Sequence, residues 1–307
     1  MEPKISFLIP AHNEEKIITN ALDNILTLPY NNYEVLIGLD GCTDKTEEIV
    51  KSFTKKSKKF KYFKLKSRSG KPEVIDTLVN KSTGEILIIH DADWIFSVKT
   101  KPSLNKFFSV FQESSIGGIA DNFPVELNKN LANSNFGYKM VAYAHSYWIK
   151  FQKTKFTKEY NKHILQISHP AMFLTNVFRK SLYQKNFSLA DDFERTRNIF
   201  KRGYKIVLFK DKEMPRLVAS YNRITLKDFF RQKVRTAIAR KQISSSEFNY
   251  SKYNLQTILF MLSNSFLDSP LKGVYVFIWV FLTTLATIVS KFKHLDTKQG
   301  WNLRAKR

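Results

Sequence analysis

The sequence predicts an α/β fold with a mostly parallel sheet flanked by helices, and two observations support this. Short β-branched or aromatic runs alternate with helical patterns through the first 90 residues. Where one run meets the next helix, Asp40 and Gly41 supply a turn, and Glu47 and Glu48 supply first-turn acids. The predicted strands cover residues 5–9, 34–39, 62–65 and 85–90, and the predicted helices cover residues 14–28, 45–56 and 71–82.

The composition allows a globular core and indicates an anionic partner. Of 307 residues, 43% are hydrophobic, which excludes a disordered chain. There are 50 basic and 27 acidic residues, so the net charge is +23, which nucleic acid, a lipid surface or a phosphorylated substrate would each match. The one cysteine, Cys42, excludes an internal disulfide and a cysteine-rich zinc site, which is typical of an intracellular chain.

Acidic residues follow two predicted strands, at the edge of the sheet where open α/β folds bind ligands. Asp91 and Asp93 come directly after the apolar run 86–89, and two carboxylates there can hold a divalent cation that neutralises a diphosphate. Asp40 follows another strand, where it can accept hydrogen bonds from a base or a ribose. Helix capping is the structural alternative, and it suits Asp44 better than Asp40.

A second acidic pair, Asp191 and Asp192, lies at the start of a predicted helix over residues 189–202. Carboxylates at a helix N-terminus commonly complement the helix dipole, so one interpretation is structural. A general base must be a carboxylate or a histidine held near the acceptor, and this pair is the best candidate downstream of the first acidic site. The residues themselves leave both interpretations open.

Between the two acidic sites, residues 122–168 lose the strand alternation and become rich in aromatic residues. We interpret them as an inserted helical or mobile segment on the acceptor side, with a helix packed on the sheet as the alternative. Strands are predicted again at residues 171–175 and 205–209.

The C-terminal part combines a basic amphipathic helix with apolar segments. Residues 225–242 place apolar side chains at helical spacing among lysines and arginines, which suits an anionic membrane surface, with docking on the chain's own domain as the alternative. Residues 253–267 and 273–290 carry no charge, and the second run would form a helix of about 27 Å, just short of a ~30 Å hydrocarbon core. Basic clusters on both sides favour a hairpin or an in-plane helix over a single span.

Five short motifs follow one another along the chain. They read Ile-Pro-Ala-His-Asn-Glu-Glu at 9–15, Asp-Gly-Cys-Thr-Asp-Lys-Thr at 40–46, Gly-Lys at 70–71, Gly-Glu-Ile at 84–86 with Asp-Ala-Asp at 91–93, and Leu-Ala-Asp-Asp-Phe-Glu at 189–194. In this order and spacing they resemble glycosyltransferase family 2, over about residues 4–240. Five ordered motifs are far more specific than any one of them.

The resemblance implies a GT-A fold, which is Rossmann-like, a nucleotide-diphosphate sugar donor, a Mn²⁺ or Mg²⁺ ion, and transfer with inversion. Lys71 would approach the diphosphate, while Asp91 and Asp93 would hold the sugar nucleotide and the metal. Asp192 would be the catalytic base, with Asp191 beside it. The residues implied to hold the nucleoside are Pro10, Ala11, Asn13, Glu14 and Asp40.

Residues 232–236, Gln-Lys-Val-Arg-Thr, resemble the Gln-Arg-x-x-Trp type of box that follows the catalytic domain in membrane-bound members of the family. The resemblance implies that Gln232 and Arg235 contact the diphosphate or the acceptor. Lys233 stands near the usual arginine, and no tryptophan follows.

Two further departures from the family pattern fall beside functional residues. Leu39 occupies the place of a frequent aspartate in the nucleoside motif, and Asp191 replaces a commoner glutamate before the base. The retained members of the two pairs, Asp40 and Asp192, are the functional ones, so we expect activity to persist.

The predicted function is metal-dependent transfer of a sugar to a lipid-linked acceptor, a polyprenyl phosphate or a lipid-linked glycan, at the cytoplasmic face of the cell membrane. A polyprenyl phosphate is already an anion and needs no base, so Asp192 would then help to place the metal or the acceptor. Residues 1–224 would form the catalytic domain, residues 225–252 an interfacial helix, and residues 253–307 an apolar membrane-associated region with a basic tail.

Two other classes of protein compete with this prediction. A nucleic-acid-binding protein would also match the charge of +23, but the sequence contains no recognised nucleic-acid motif, so we expect no nucleic acid partner. A sugar-nucleotide-binding protein that has lost catalysis is disfavoured, because both acidic motifs are retained.

Overall fold

The chain forms two compact units, each discontinuous in sequence. The computed structural model describes residues 2–121, 125–127, 131, 133–170, 173–211, 213–221, 223–243 and 250–293. The first unit comprises Met1–Pro124, Lys158–Phe187 and Asp191–Ala219, and the second comprises Val125–Thr157, Ser188–Ala190 and Ser220–Arg307. The chain therefore leaves the first unit and returns to it twice.

Strands dominate the first unit and helices the second. The strands are β1 (Ile5–Ala11), β2 (Tyr33–Leu39), β3 (Phe60–Lys64), β4 (Ile86–Ile89), β5 (Ile95–Ser97), β6 (Ile116–Asp121), β7 (Val125–Leu127), β8 (Thr157–Asn161), β9 (Ile164–Ile167), β10 (Leu174–Arg179), β11 (Lys205–Phe209) and β12 (Arg216–Tyr221). The helices are α1 (Ile18–Leu26), α2 (Thr46–Lys56), α3 (Lys71–Lys81), α4 (Lys101–Ser109), α5 (Phe136–Phe156), α6 (Asp191–Lys201), α7 (Leu226–Ile243), α8 (Tyr250–Asp268) and α9 (Pro270–Val289).

The predicted parallel half of the sheet is confirmed. In the nine-stranded sheet, β3, β2, β1 and β4 are adjacent in that order and parallel, and helices connect each of them to the next in sequence. All residues of β1, β2 and β4 are buried, as expected of parallel strands covered on both faces. The carboxyl ends of β1, β2 and β4 therefore meet at one edge, where the acidic motifs follow.

The other half of the sheet is mixed. β10 lies antiparallel between β4 and β6, and β11 is parallel to β6 and antiparallel to β9. β5 pairs separately with the first part of β12, with Leu217 opposite Phe96. The sequence predicted β11 with its observed bounds. The strand predicted at residues 171–175 begins instead at Leu174, and residues 171–172 lie outside the described part of the chain.

The prediction of an inserted segment without strands is wrong for residues 157–167. These residues form β8 and β9, which extend the nine-stranded sheet beyond β11, with β8 at its edge. β8 exposes Lys158 and Glu159, because an edge strand does not need the apolar alternation that marks a buried one. The predicted helical part of the segment is α5.

The second unit contains α5, α7, α8 and α9, which pack on one another. α8 and α9 form a hairpin joined at Ser269. The two helices approach each other closely at Gly273. A Cβ atom there would lie 2.3 Å from the ring of Phe266, so this position requires glycine. Among the described residues, one helix, Pro270–Phe292, is long and apolar enough to cross a membrane, with a mean hydropathy of 2.0. Residues 294–307, which include most of the predicted basic tail, lie outside the described residues.

Candidate active site

The turns after β1 and β2 are tied together by hydrogen bonds. Asn13 has a φ of 55°, a left-handed conformation that asparagine tolerates, and its Oδ1 accepts a hydrogen bond of 2.8 Å from the Thr43 N–H. The Glu14 N–H donates to Thr46 Oγ1 over 2.8 Å, and Asp44 accepts from the N–H groups of Glu15 and Thr46. Asp44 therefore holds the two turns together, while the N-cap residue of α2 is Lys45, which makes no side-chain capping hydrogen bond.

Pro10 and Ala11 lie inside the sheet rather than beyond its edge. Both residues are buried and belong to β1, where they lie opposite Gly38 and Leu39 of β2. The Ala11 carbonyl accepts a hydrogen bond of 2.9 Å from the Asp40 N–H. Their contact with a nucleoside stays a prediction, as it does for the exposed Asn13 side chain and the buried Glu14.

Asp40 holds the loop that precedes α3. Its side chain is fully buried, and its two carboxylate oxygens accept hydrogen bonds from the N–H groups of Ser69 (2.6 Å) and Gly70 (2.9 Å). Gly70 has a φ of 92°, a conformation that side-chain-bearing residues rarely adopt, so the turn requires glycine. The next residue is Lys71, and Asp40 thereby fixes where that lysine begins its helix. The nucleoside contact predicted for Asp40 remains untested.

Lys71 links the two acidic motifs. Its Nζ lies 2.9 Å from Asp91 Oδ1, beyond the end of β4, and 3.2 Å from Asp191 Oδ1, at the first residue of α6. Burial alone would lower the pKa of the Lys71 ammonium, but the charges of Asp191, Asp91 and Asp192 outweigh burial and raise it. Lys71 is therefore a permanent cation between two motifs that lie far apart in sequence.

Asp191 is held as a carboxylate by two cations. Arg195, one turn further along α6 and 1% exposed, donates from its guanidinium to Asp191 Oδ2 over 2.7 Å. The same guanidinium donates to the Thr175 carbonyl and to Asn176 Oδ1, which anchors it to β10. Burial alone would raise the pKa of Asp191, but the charges of Lys71 and Arg195 hold it below its ordinary value.

Asp192 behaves in the opposite way. Burial raises its pKa, and the neighbouring charge of Asp191 raises it further, to about 6, against the weaker pull of Lys71 and Arg195. Two adjacent carboxylates with pKa values displaced in opposite directions can divide the roles of fixed charge and proton acceptor. Asp191 is the fixed charge, and Asp192 is the member that can take up and release a proton near neutral pH.

Asp91 and Asp93 form a donor set that fits a divalent cation bound together with a diphosphate. In the described part of the chain, no group of three or more His, Cys, Asp or Glu side chains is suited to a metal ion. Mg²⁺-like ions are commonly held by one or two carboxylates plus substrate phosphates, which is the set available here. Asp91 is also ion-paired with Lys71, so a cation bound here would share that carboxylate with the lysine.

Gln232 and Arg235 lie one turn apart on α7, in the second unit. The other predicted site residues, from Pro10 to Asp192, belong to the first unit. The contacts predicted for Gln232 and Arg235 with a diphosphate or an acceptor stay predictions.

Sequence reasoning missed two contributors to the site. Arg195 was visible only as one of several basic residues of a helix, although its spacing of four from Asp191 is that of a helical ion pair. His12 also escaped notice: its Nδ1 lies 2.6 Å from the Asp40 carbonyl, and its Nε2 contacts the Arg68 guanidinium. The side chain of His12 thus connects the turn after β1 with the loop before α3.

Comparison with known proteins identifies the family. The model of glycosyl transferase family 2 matches residues 6–182, more than half of the chain. The chain belongs to glycosyltransferase family 2. The expectation drawn from the five motifs is therefore confirmed, and the protein is a glycosyltransferase.

Two curated relatives of this glycosyltransferase are similar over different lengths. It is 25% identical over 302 residues to the dolichyl N-acetyl-α-D-glucosaminyl phosphate 3-β-D-2,3-diacetamido-2,3-dideoxy-β-D-glucuronosyltransferase of Methanococcus voltae, and the match covers 92% of this chain and 86% of the relative. It is 30% identical over 160 residues to the β-monoglucosyldiacylglycerol synthase of Nostoc sp., but there the match covers 50% of this chain and 32% of the relative.

A solved structure confirms the GT-A fold of the glycosyltransferase. The mannosyltransferase PcManGT from Pyrobaculum calidifontis, in complex with GDP-Man and Mn²⁺, superposes with a TM-score of 0.60 at 16% sequence identity. The match covers 95% of this chain and 88% of the mannosyltransferase. At this identity the likeness establishes the fold.

Proposed function

We propose that this glycosyltransferase transfers a sugar, with inversion, from a nucleotide-diphosphate sugar to a hydroxyl group of a lipid-linked glycan. The observation that carries the proposal is the pair Asp191 and Asp192, in which Asp191 stays charged and Asp192 has a pKa of about 6. A general base works best when its pKa lies near the working pH. Asp192 removes the proton of the acceptor hydroxyl as the oxygen attacks the anomeric carbon in line with the leaving group.

The donor binds at the edge formed by the carboxyl ends of β1, β2 and β4. Lys71, held between Asp91 and Asp191, places a permanent positive charge where the diphosphate of the donor lies. The nucleoside is held by the turn residues predicted for it, and Asp40 contributes by fixing the loop in front of Lys71.

Asp91 and Asp93 would hold a Mn²⁺ or Mg²⁺ ion. When bound, the ion supplies positive charge that stabilises the departing nucleotide diphosphate. The presence of Mn²⁺ with GDP-Man in the PcManGT complex supports this part of the proposal.

The acceptor is a glycan hydroxyl rather than a bare polyprenyl phosphate. A phosphate oxygen is already ionised at neutral pH, so it gains nothing from a base, whereas a hydroxyl must lose a proton during attack. The raised pKa of Asp192 suits the second case. The name of the Methanococcus voltae relative, which describes transfer to position 3 of a dolichyl-linked N-acetylglucosaminyl phosphate, supports the same choice.

The reaction takes place at an anionic membrane surface, with the catalytic domain, residues 1–224, on the cytoplasmic side. Gln232 and Arg235 of α7 would contact the diphosphate or the acceptor. Phe229, Val234 and Ile238 of α7 are buried, so residues 225–252 would meet the membrane with basic side chains, and residues 253–307 would supply the apolar contact. The apolar helix Pro270–Phe292 supports the membrane association, as do the dolichyl-linked substrate and the glucosyldiacylglycerol in the names of the two curated relatives.

The test uses the full-length protein in detergent with a panel of nucleotide-diphosphate sugars, with Mn²⁺ or with EDTA. We expect metal-dependent release of a nucleoside diphosphate from one donor, and stimulation by a polyprenyl phosphate that already carries a sugar. Stimulation by the unglycosylated polyprenyl phosphate alone would contradict the acceptor assignment. Absence of release from every donor, with and without acceptors, would contradict the proposed transfer.

A further inference from the structure

The exposed apolar side chains of this protein are concentrated on α8, α9 and the turn that follows. Of the 15 large hydrophobic residues exposed in the described part of the chain, 11 lie between Leu255 and Phe292. Scattered single residues of this kind are normal on a protein surface, but a contiguous set marks an interaction site. The eleven residues, here named the apolar stripe, are Leu255, Leu259, Phe266, Leu267, Leu271, Val274, Phe277, Phe281, Leu285, Ile288 and Phe292.

The opposite face of α9 is buried within the second unit. Gly273, Val276, Trp279 and Ala286 recur at intervals of three, three and seven residues and are at most 9% exposed. α5 and α7 pack on α9 as well as α8. The buried face therefore contacts protein along most of the helix, and the exposed face consists mainly of the apolar stripe, together with Thr284 and Thr287.

Two lysines of α7 lie along the protein side of α9, one at the middle and one at the end of the helix. Lys233 of α7 lies with its Nζ 4.4 Å from the ring centroid of Trp279, which is at the centre of α9. Lys241, two turns further along α7, donates from its Nζ to the Ser290 carbonyl over 2.9 Å. The two helices thus run side by side in the same direction, with a cationic helix along the apolar one.

Length does not decide whether α9 crosses a membrane, because its 20 residues span about 30 Å, enough for a hydrocarbon core. The basic residues of the neighbouring helix α7 decide it. If α9 spanned the bilayer in this packing, Arg231, which is exposed and two residues before Lys233 on α7, would lie near the middle of α9 and so near the bilayer centre, where a charged side chain is costly. Lys241, which contacts Ser290 at the end of α9, would lie at the membrane surface in either arrangement, so the position of Arg231 decides between them.

The charge of the second unit matches an anionic surface. By sequence this unit has 20 lysines and arginines against 5 acidic residues, a net +15 out of the +23 of the whole chain. Clustered basic residues beside an apolar face attract anionic lipid headgroups while the apolar side chains enter the acyl boundary. A lipid leaflet with anionic headgroups is therefore the occupant that both the apolar stripe and the charge fit.

We infer that α8 and α9 lie in the plane of the membrane and bury the apolar stripe in one leaflet, without crossing the bilayer. This deepens the proposed function, because it places the second unit at the surface where a lipid-linked acceptor is found. The inference rests on the packing of the second unit, and the tests below read membrane binding and depth rather than sugar transfer, so the two can fail separately.

The first test compares flotation of the full-length protein with phosphatidylcholine vesicles and with vesicles containing 30% phosphatidylglycerol. We expect stronger binding to the anionic vesicles, and a fall of at least about tenfold in the partition coefficient for the variant Phe277→Ser/Phe281→Ser. Both residues are more than half exposed, so the substitutions leave the fold intact, as a thermal melt by circular dichroism verifies. The matched control is Phe187→Ser, an exposed phenylalanine of the first unit, which should bind as the wild type does. Unchanged binding of the double variant would overturn the inference.

The second test separates an in-plane helix from a spanning one. Val274, Phe281 and Ile288 are seven residues apart on the apolar stripe, so an in-plane helix holds all three at one depth. Each is replaced singly by cysteine in a Cys42→Ser chain, labelled with an environment-sensitive fluorophore and quenched by lipids brominated at defined depths. Equal shallow depths at the three positions support the inference. A label at position 281 near the bilayer centre, with those at 274 and 288 about 10 Å shallower, would overturn it.

Discussion

The ammonium of Lys71 lies 3.2 Å from the carboxylate of Asp191, which joins the start of α3 to the start of α6. Together with Arg195 on the other carboxylate oxygen, Lys71 keeps Asp191 ionised inside the protein. The charge of Asp191 in turn raises the pKa of its neighbour Asp192 to about 6. The division of roles within the acidic pair thus depends on which carboxylate the two cations contact.

The pH dependence of the wild type should show one ionisation from Asp192. The base works only when ionised, so kcat/KM for a hydroxyl acceptor should rise tenfold per pH unit at low pH and become level above an apparent pKa of about 6. The measurement is a pH–rate profile at saturating metal. A profile that is flat between pH 4.5 and 7 would contradict the assignment of Asp192 as base.

Asp191→Asn should move the acidic limb of the pH–rate profile, the part that rises with pH, to lower pH. The substitution removes the negative charge that raises the pKa of Asp192, and it leaves the cations Lys71 and Arg195 in place, which lower it. The apparent pKa of the acidic limb should therefore fall below 6, whatever happens to the maximal rate. The control is Asp23→Asn, an exposed aspartate on α1, which should leave the profile unchanged. A limb unchanged in Asp191→Asn would mean that Asp191 does not set the pKa of Asp192.

Arg195→Met should move the limb in the opposite direction. Loss of the guanidinium removes a positive charge that lowers the pKa of Asp192, so the limb should rise above 6. Because the variant also breaks a buried ion pair, the free energy of unfolding should fall by about 3–5 kcal/mol, as urea titration would show. Arg195→Lys keeps the positive charge, so the apparent pKa of the limb should return close to its wild-type value. The free energy of unfolding should recover less, because lysine does not replace the hydrogen bonds of the guanidinium. A downward shift in Arg195→Met would contradict this reading.

Asp40→Ala should destabilise the protein and weaken donor binding. The variant leaves the N–H groups of Ser69 and Gly70 without their acceptor, at a cost of about 1–3 kcal/mol each, and it loosens the loop that positions Lys71. Urea unfolding measures the stability, and titration with the donor measures binding. Glu48→Ala, which removes an exposed carboxylate of α2, should change the stability by no more than about 0.5 kcal/mol. Equal unfolding midpoints for the two variants would contradict the role given to Asp40.

Asp93→Asn should weaken the metal site selectively. A neutral amide in place of a carboxylate should raise the Mn²⁺ concentration required for half-maximal donor binding by at least about tenfold. Electron paramagnetic resonance of Mn²⁺ in the presence of the nucleoside diphosphate measures binding of the ion directly. Wild-type activity that survives EDTA would contradict the metal requirement, and unchanged Mn²⁺ binding in the variant would contradict the ligand assignment.

The sequence predicted the parts of the fold whose local pattern is strong. The strands β1, β2 and β4 have long apolar runs, and the acidic motifs directly follow β2 and β4. β8 escaped prediction because it is an edge strand with exposed, charged residues, so its pattern does not differ from that of a loop. Its pairing depends on contacts between distant parts of the chain.

The candidate site, like the fold, could be predicted from the sequence only in part. The residue types of the acidic pairs and of Lys71 were evident from the motifs, but the contact of Lys71 with Asp191 depends on how α3 and α6 approach in the folded sheet. The two backbone hydrogen bonds accepted by Asp40 could not be predicted either, because they require the position of a loop 30 residues away. Motifs identify candidate groups, and tertiary structure decides their charge states.

The most direct test of the proposed function is the Asp192→Asn variant with two acceptors, a polyprenyl phosphate that carries a sugar and the same lipid phosphate without one. With the sugar-bearing acceptor, we expect the wild type to form an inverted glycosidic bond, seen by NMR of the anomeric proton, and the variant to be about 10²–10⁴ times slower at unchanged donor affinity. Transfer by the variant at the wild-type rate, or a wild type that uses only the lipid without a sugar, would contradict a base-assisted attack by a glycan hydroxyl.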